Sequence, residues 1–214
     1  RRQRQMCIRD RSTLINLIPR YYDVTKGSVK VDGVDVRDMT QKELRDKLGY
    51  VPQKGVLFSG TIDSNIRYGK PEITDAQVKE AAEVAQATEF IDTKPEKYES
   101  PVSQGGTNVS GGQKQRLSIA RAIAKDPEIF IFDDSFSALD FKTDSQLRKA
   151  LKEYTKDATT VIVAQRISTI LGADQIIVLD DGHMAGIGTH KELMANCEVY
   201  QQIARSQLSE EELA

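Results

Sequence analysis

Two short segments of this sequence carry residue types that suit phosphate and metal binding. The first is Ser110-Gly111-Gly112-Gln113, which precedes an apolar pattern of helical spacing. Serine is a favoured helix N-cap, and glycines let a ligand approach the first N–H groups of a helix. Those groups lack intrahelical acceptors and lie at the positive end of the helix dipole, so they attract phosphate. By its spacing alone, the segment is more often an ordinary glycine-rich helix cap.

The second segment is an apolar run, 129–132, that ends in Asp133-Asp134. A continuous apolar run of this length predicts a strand buried on both faces. A carboxylate at the carboxyl end of such a strand is how P-loop NTPases hold Mg²⁺ beside nucleotide phosphates. Alone, an Asp-Asp pair is also a common strand end, so the argument depends on the two segments occurring together.

With Ser137-Ala138-Leu139-Asp140 and Gln53 added, the motifs resemble, in order, those of the ATP-binding cassette (ABC) transporter ATPase family. The run 109–113 resembles the family signature, Asp133 its Walker B aspartate, 137–140 its D-loop and Gln53 its Q-loop glutamine. The resemblance covers 12–207 and implies ATP and Mg²⁺ as cofactors. It implies that ATP hydrolysis takes place at the level of the assembled parent protein.

The resemblance also assigns roles to individual residues. Catalytic roles fall on Gln53, Asp134 and Gln165, and the implied Mg²⁺ ligands are Ser12, Gln53 and Asp133. The implied nucleotide contacts are Ser12, Thr13, Ser110, Gly111, Gly112, Gln113 and Asp140.

Two departures from the family pattern weaken this chain's own site. Asp134 replaces the family's catalytic glutamate, and the carboxylate is one methylene shorter. A misplacement of about 1 Å can cost about 100-fold in rate. Gln165 replaces the switch histidine, and its neutral amide cannot take up a proton. Together they predict the degenerate subunit of a heterodimeric multidrug exporter, with an intact signature that serves ATP held by the partner.

A third departure concerns the phosphate-binding loop, or Walker A motif. By alignment on Ser12-Thr13 this loop should occupy 5–11, which contain no glycine. Without glycines the backbone N–H groups cannot wrap the phosphates. Arg11 stands where the family has its lysine, but without the loop we expect nothing to fix the orientation of its side chain. We hypothesise that residues 1–11 are a non-native basic tail on an N-terminally truncated domain. The alternative is a genuine degenerate loop.

The pattern along the chain predicts an α/β fold, a P-loop NTPase (ABC ATPase) core with a small antiparallel β part and an α-helical subdomain. We expect the core at 12–60 and 111–214 and the helical, signature-bearing subdomain at 61–110. The predicted strands and hairpins occupy 29–36 (turning at Asp32-Gly33), 48–52, 128–132, 159–164 and 175–187. The predicted helices occupy 12–18, several parts of 61–90, the segment from Ser110 to Pro127, and 141–154, 168–171, 190–195 and 200–208.

The segment 57–66 and the net charge indicate which binding partners to expect. The segment 57–66 resembles exporter-type domains at the point where they meet a membrane coupling helix. We therefore expect a second ABC nucleotide-binding domain and the exporter's transmembrane domains as partners, at the cytoplasmic face of the plasma membrane. A net charge of -2 gives no reason to expect nucleic acid. A soluble ABC ATPase of DNA repair or translation would need coiled-coil heptads or a basic groove, and the sequence shows neither.

Overall fold

The computed structural model describes residues 8–208, and only the backbone of residues 8–10. Most of the predicted non-native tail therefore lies outside the described residues. The chain divides into two compact units, one formed by residues 31–161 and the other by residues 1–30 and 162–214. Within the described range no helix combines the length and the apolar character that crossing a bilayer requires.

The helices in chain order are α1 (Ile8–Ile15), α2 (Gln41–Asp46), α3 (Ile62–Ile66), α4 (Asp75–Val84), α5 (Thr88–Asp92), α6 (Gly111–Ala124), α7 (Phe141–Tyr154), α8 (His190–Asn196) and α9 (Glu198–Gln207). The strands are β1 (Lys30–Val31), β2 (Val34–Asp35), β3 (Leu48–Val51), β4 (Gly60–Thr61), β5 (Pro101–Val102), β6 (Ile129–Asp133), β7 (Thr159–Val163), β8 (Ile176–Asp180) and β9 (His183–Gly188). The predicted alternation of strands and helices is confirmed.

A three-stranded sheet has the order β3-β6-β7, and its strands β3 and β6 lie in the larger unit. β3 and β6 are parallel, and their register runs from Leu48 beside Ile129 to Val51 beside Phe132. Phe130, Ile131 and Phe132 are almost fully buried. The continuous apolar run in the sequence therefore marks a strand covered on both faces.

Helix α6 packs against α3, α4 and β3. Its buried residues include Leu117, Ile119 and Ile123, together with two polar residues, Gln115 and Ser118. A hydrophobic stripe of this kind anchors the helix to the core, because the buried area supplies most of the stability of a short helix. The buried part of α6 therefore fixes the position of the residues at its start.

In the smaller unit, β8 and β9 form an antiparallel hairpin that turns at Asp181-Gly182. Both turn residues have positive φ, as do Asp32 and Gly33 in the turn between β1 and β2. Asp-Gly suits this geometry because glycine adopts positive φ freely and aspartate tolerates it. Both predicted hairpins are confirmed. α8 and α9 cover β8 and β9 through a buried apolar cluster.

Three local predictions were wrong. The segment predicted as a helix at 168–171 is a single 3₁₀ turn at Ile167–Thr169, and α1 ends at Ile15 although the apolar pattern continues to Ile18. The loop predicted at 94–112 contains β5, which pairs antiparallel with β4. Two-residue strands and 3₁₀ turns are too short to show a period in the sequence.

Candidate functional site

The start of α6 is closed by a reciprocal pair of hydrogen bonds. Ser110 Oγ accepts from the Gln113 N–H at 3.2 Å, and Gln113 Oε1 accepts from the Ser110 N–H at 3.1 Å. This is a capping box, which satisfies one N–H at the helix start and orients the chain that enters it. The predicted N-cap role of Ser110 is confirmed.

Gly111 and Gly112 contribute the first backbone N–H groups of this helix. Within the described residues, neither N–H has a hydrogen-bond acceptor. A Cβ built on Gly111 would meet no described atom within 4 Å, and one on Gly112 would come 3.5 Å from the Ala138 carbonyl oxygen. Neither glycine has positive φ. The chain's own packing therefore does not require glycine at position 111.

Asp140, predicted as a nucleotide contact, is the N-cap of α7. Its side chain accepts from the Thr143 N–H at 3.0 Å. The hydrogen bonds from the Thr143 backbone and hydroxyl, and the charge of Arg116, lower the pKa of the Asp140 carboxyl. The carboxylate is thus ionised and exposed at a second helix start, next to the Ala138 carbonyl that faces Gly112.

The end of β6 differs, because its carboxylates are buried and hydrogen-bonded. Asp133 and Asp134 are each 5% exposed. Asp133 Oδ2 accepts from the Tyr50 hydroxyl at 3.4 Å, and Asp134 Oδ2 accepts from Gln53 Nε2 at 3.2 Å. The structure thus brings Gln53 and Asp134, two of the three predicted catalytic residues, into direct contact.

The backbone at this strand end is fixed by neighbouring hydroxyls. Asp134 has a φ of 48°, in the left-handed region that aspartate tolerates better than most side chains. Ser137 Oγ donates to the Asp134 carbonyl at 3.0 Å, and the fully buried Ser135 donates to the Val51 carbonyl at 2.9 Å. Sequence reasoning assigned no role to Tyr50 or Ser135. The only signal was that Tyr50 lies three residues before Gln53 and that Ser135 follows Asp134.

The loop after β3 is attached to α6 by side chains that the sequence analysis also missed. The amide of Gln115 bonds to the backbone at Pro52 and at Gly55. Arg121 donates to the carbonyl oxygens of Val56 and Asn65. Burial lowers the pKa of Arg121 to about 10. The guanidinium remains charged at neutral pH and fixes this loop through charge-assisted hydrogen bonds.

The smaller unit holds the other predicted site residues. Ser12 and Thr13 lie within α1, and Gln165 is the second residue after the end of β7. Arg11 Nη1 donates to the Ala164 carbonyl at 2.6 Å. The expectation that nothing fixes the orientation of the Arg11 side chain is therefore wrong, because the Ala164 carbonyl, next to Gln165, holds its guanidinium.

The donor set at the end of β6 suits a hard divalent cation. Mg²⁺ prefers carboxylate and amide oxygens and keeps several water or phosphate ligands. Asp133 supplies a carboxylate, and Gln53 donates through its nitrogen, which leaves its oxygen as the atom suited to a metal. Among the described residues no group of three or more His, Cys, Asp or Glu side chains could hold a metal by itself. With only these protein ligands, the remaining positions around such an ion are left to water or phosphate oxygens.

Comparison with known proteins shows the family of the chain. The family model described as ABC transporter matches residues 11–137. An uncharacterised ABC transporter ATP-binding protein of Mycobacterium bovis is 48% identical over 200 residues, which are 92% of this chain and 34% of that protein. A Staphylococcus aureus protein named for multidrug export, an ATP-binding/permease protein, is 47% identical over 193 residues, 90% of this chain and 33% of that protein.

The solved structure of a bacterial Atm1-family ABC exporter with ATP bound superposes with a TM-score of 0.90 at 39% identity, over 94% of this chain and 35% of that chain. The fold and the site thus define an α/β ATPase domain of the exporter type. The chain belongs to the ABC transporter family. It spans about a third of the length of the relatives it matches.

Proposed function

We propose that this chain is the ATP-binding domain of an ABC exporter and couples ATP binding and hydrolysis at a dimer interface to the export of a substrate. The start of α6 carries the proposal. There, Gly111 and Gly112 offer N–H groups with no acceptor among the described residues, at a position where the fold itself does not require glycine. Helix starts of this kind bind phosphate. The ligand is the ATP held by a second nucleotide-binding domain.

The chain's own site is the weaker one in this proposal. Asp134 accepts from Gln53, but its carboxylate is one methylene shorter than the glutamate that the family uses as a base. Gln165 can donate a hydrogen bond to a phosphate but cannot exchange a proton near neutral pH. With a glycine-rich Walker A loop restored at 5–11, a site with these two residues should bind nucleotide and hydrolyse it slowly. The partner domain is therefore a different chain, and the assembly is a heterodimer.

Mg²⁺, when bound with ATP, supplies positive charge that stabilises the phosphates during transfer. Of the ligands that the family resemblance implies, Gln53 and Asp133 lie in the larger unit and Ser12 lies in the smaller one. Tyr50 keeps the Asp133 carboxylate oriented. Ser110 and Gln113 orient the signature backbone, and Thr13 and Asp140 complete the proposed nucleotide contacts.

An exposed apolar patch on the larger unit suits the transmembrane part of the exporter. Val56, Phe58 and Tyr68 are each about half exposed, and the Phe58 and Tyr68 rings stack with centroids 4.2 Å apart. Arg121 lies beneath both rings. Exposed aromatic patches commonly mark protein contacts. The proposed contact places this domain at the cytoplasmic face of the plasma membrane, with 61–110 as its helical subdomain and 12–60 with 111–214 as its core.

The experiment compares the assembled exporter with the isolated chain. The exporter in proteoliposomes should show ATP- and Mg²⁺-dependent export, whereas the isolated chain, with no glycine in 5–11, should bind ATP too weakly for measurable turnover. In an exporter whose 5–11 segment is replaced by a glycine-rich Walker A loop, replacing Asp134 by Glu and Gln165 by His should raise ATP hydrolysis, by up to about 100-fold at this site. An unchanged rate with intact ATP binding would show that another step limits the site. An exporter without ATP-dependent transport would refute the function.

A further inference from the structure

Gln115 lies in α6, only 1% exposed, and both ends of its side-chain amide bond to one loop. Its Nε2 donates to the Pro52 carbonyl at 3.1 Å, and its Oε1 accepts from the Gly55 N–H at 2.9 Å. Pro52 and Gly55 lie on either side of Gln53. A single buried side chain therefore fixes the backbone both before and after the predicted Q-loop glutamine.

The same loop is pressed against α6 next to these bonds. A Cβ built on Gly55 would lie 2.8 Å from the Lys114 carbonyl oxygen and 2.8 Å from Ser118 Oγ. Glycine at position 55 is therefore needed for the close approach. Arg121 holds the next residue by donating to the Val56 carbonyl at 2.9 Å. Gly55 and Val56 are therefore both held against α6.

Gln53 itself has an exposed side chain, and its amide reaches Asp134 at 3.2 Å. A glutamine side chain loses considerable rotamer entropy when it is held in one geometry. It keeps that geometry more easily when its backbone does not move, and a displacement of about 1 Å in a positioning group can cost about 100-fold in rate. The backbone bonds of Gln115 supply this restraint.

We infer that Gln115 is a positioning residue for Gln53, acting through the backbone at Pro52 and Gly55. The inference rests on the proposed function, because Gln53 matters only if this chain handles ATP. It also links two parts of that function. The helix that presents Gly111 and Gly112 to a second domain is the helix that holds the Gln53 loop, so a movement of α6 on contact with the partner's ATP moves Gln53 as well.

The first test measures the loop directly, without enzyme activity. Hydrogen exchange is followed by mass spectrometry in the full chain, in Gln115→Met and in Ser118→Ala. Ser118 is the matched control, because it lies on the same buried side of α6 and its hydroxyl has no hydrogen-bond partner among the described residues. Exchange in the peptide 52–58 should accelerate about 10-fold in Gln115→Met and stay unchanged in Ser118→Ala. Equal exchange in all three proteins would overturn the inference.

The second test is a double-mutant cycle in an assembled exporter that carries a glycine-rich Walker A loop at 5–11 together with Asp134→Glu and Gln165→His, so that this chain's own site turns over. Gln115→Met should lower kcat by at least about 10-fold, with little change in KM, and should cost almost nothing further when Gln53 is already Ala. A merely structural defect would lower kcat by the same factor in both backgrounds, and that result would overturn the inference.

If Gln115→Met folds poorly, a second variant can replace it in the double-mutant cycle. Gly55→Ala forces the same loop away from α6 while leaving Gln115 in place, and it should show the same dependence on Gln53. An additive effect of Gly55→Ala would count against the inference. If the reference exporter hydrolyses no ATP, the proposed function fails, and the hydrogen-exchange test still decides whether Gln115 holds the loop.

Discussion

The end of β6 and the start of α6 both carry residues proposed to act on ATP, but these residues differ in burial and in hydrogen bonding. At the end of β6, Asp133 and Asp134 are buried and accept hydrogen bonds from Tyr50 and Gln53. At the start of α6, the Gly111 backbone has neither an acceptor nor a steric neighbour among the described residues. The groups proposed to serve the chain's own nucleotide are constrained by its fold, whereas the groups proposed to serve a second domain are left open.

The comparison predicts that a small change at the end of β6 destabilises the chain. Ser135→Ala removes the buried hydrogen bond to the Val51 carbonyl and should lower the free energy of unfolding by about 1 kcal/mol. For a chain of this size, that loss lowers Tm by about 2–4 °C. Urea and thermal unfolding of the full chain measure both quantities. A variant as stable as the parent would mean that this strand end is less constrained than its contacts indicate.

A matched substitution at the start of α6 should change the free energy of unfolding in the opposite direction and by a smaller amount. Gly111→Ala meets no described atom and removes the entropic cost of glycine at a helix position. We expect the free energy of unfolding to rise by about 0.5 kcal/mol. In the assembled exporter, the same methyl group should reduce ATP hydrolysis, because it occupies the surface proposed to meet the partner's phosphate. A variant that is stabilised and fully active would break the comparison.

Much of this arrangement could be predicted from the sequence. The buried run 129–132 and the two Asp-Gly hairpins followed from apolar patterning and turn chemistry, because strands buried on both faces and positive-φ turns leave strong local signals. α7 was predicted at its observed bounds, Phe141–Tyr154. The motif segments were found through the chemistry of helix caps and strand-end carboxylates and through their order along the chain.

The contacts between distant segments could not be predicted. Gln115 and Arg121 are polar residues on a helix, and a sequence pattern assigns such residues to the solvent face. Their burial depends on the loop at 52–56, which covers them with backbone groups that need partners. Likewise, the bond from Arg11 to the Ala164 carbonyl joins residues far apart in the chain. Such contacts leave no periodicity to detect.

The most direct test of the account compares Gly111→Asp with Asp134→Asn in the assembled exporter. Gly111→Asp places a side chain and a negative charge at the helix start that should meet the partner's phosphate, and we expect it to abolish ATP hydrolysis. Asp134→Asn alters only the weaker site and should cost far less. Steady-state hydrolysis of both variants, with unfolding curves to confirm that each is folded, gives the answer. If Asp134→Asn proves as damaging as Gly111→Asp, this chain's own site is the working one and the proposed division of labour is wrong.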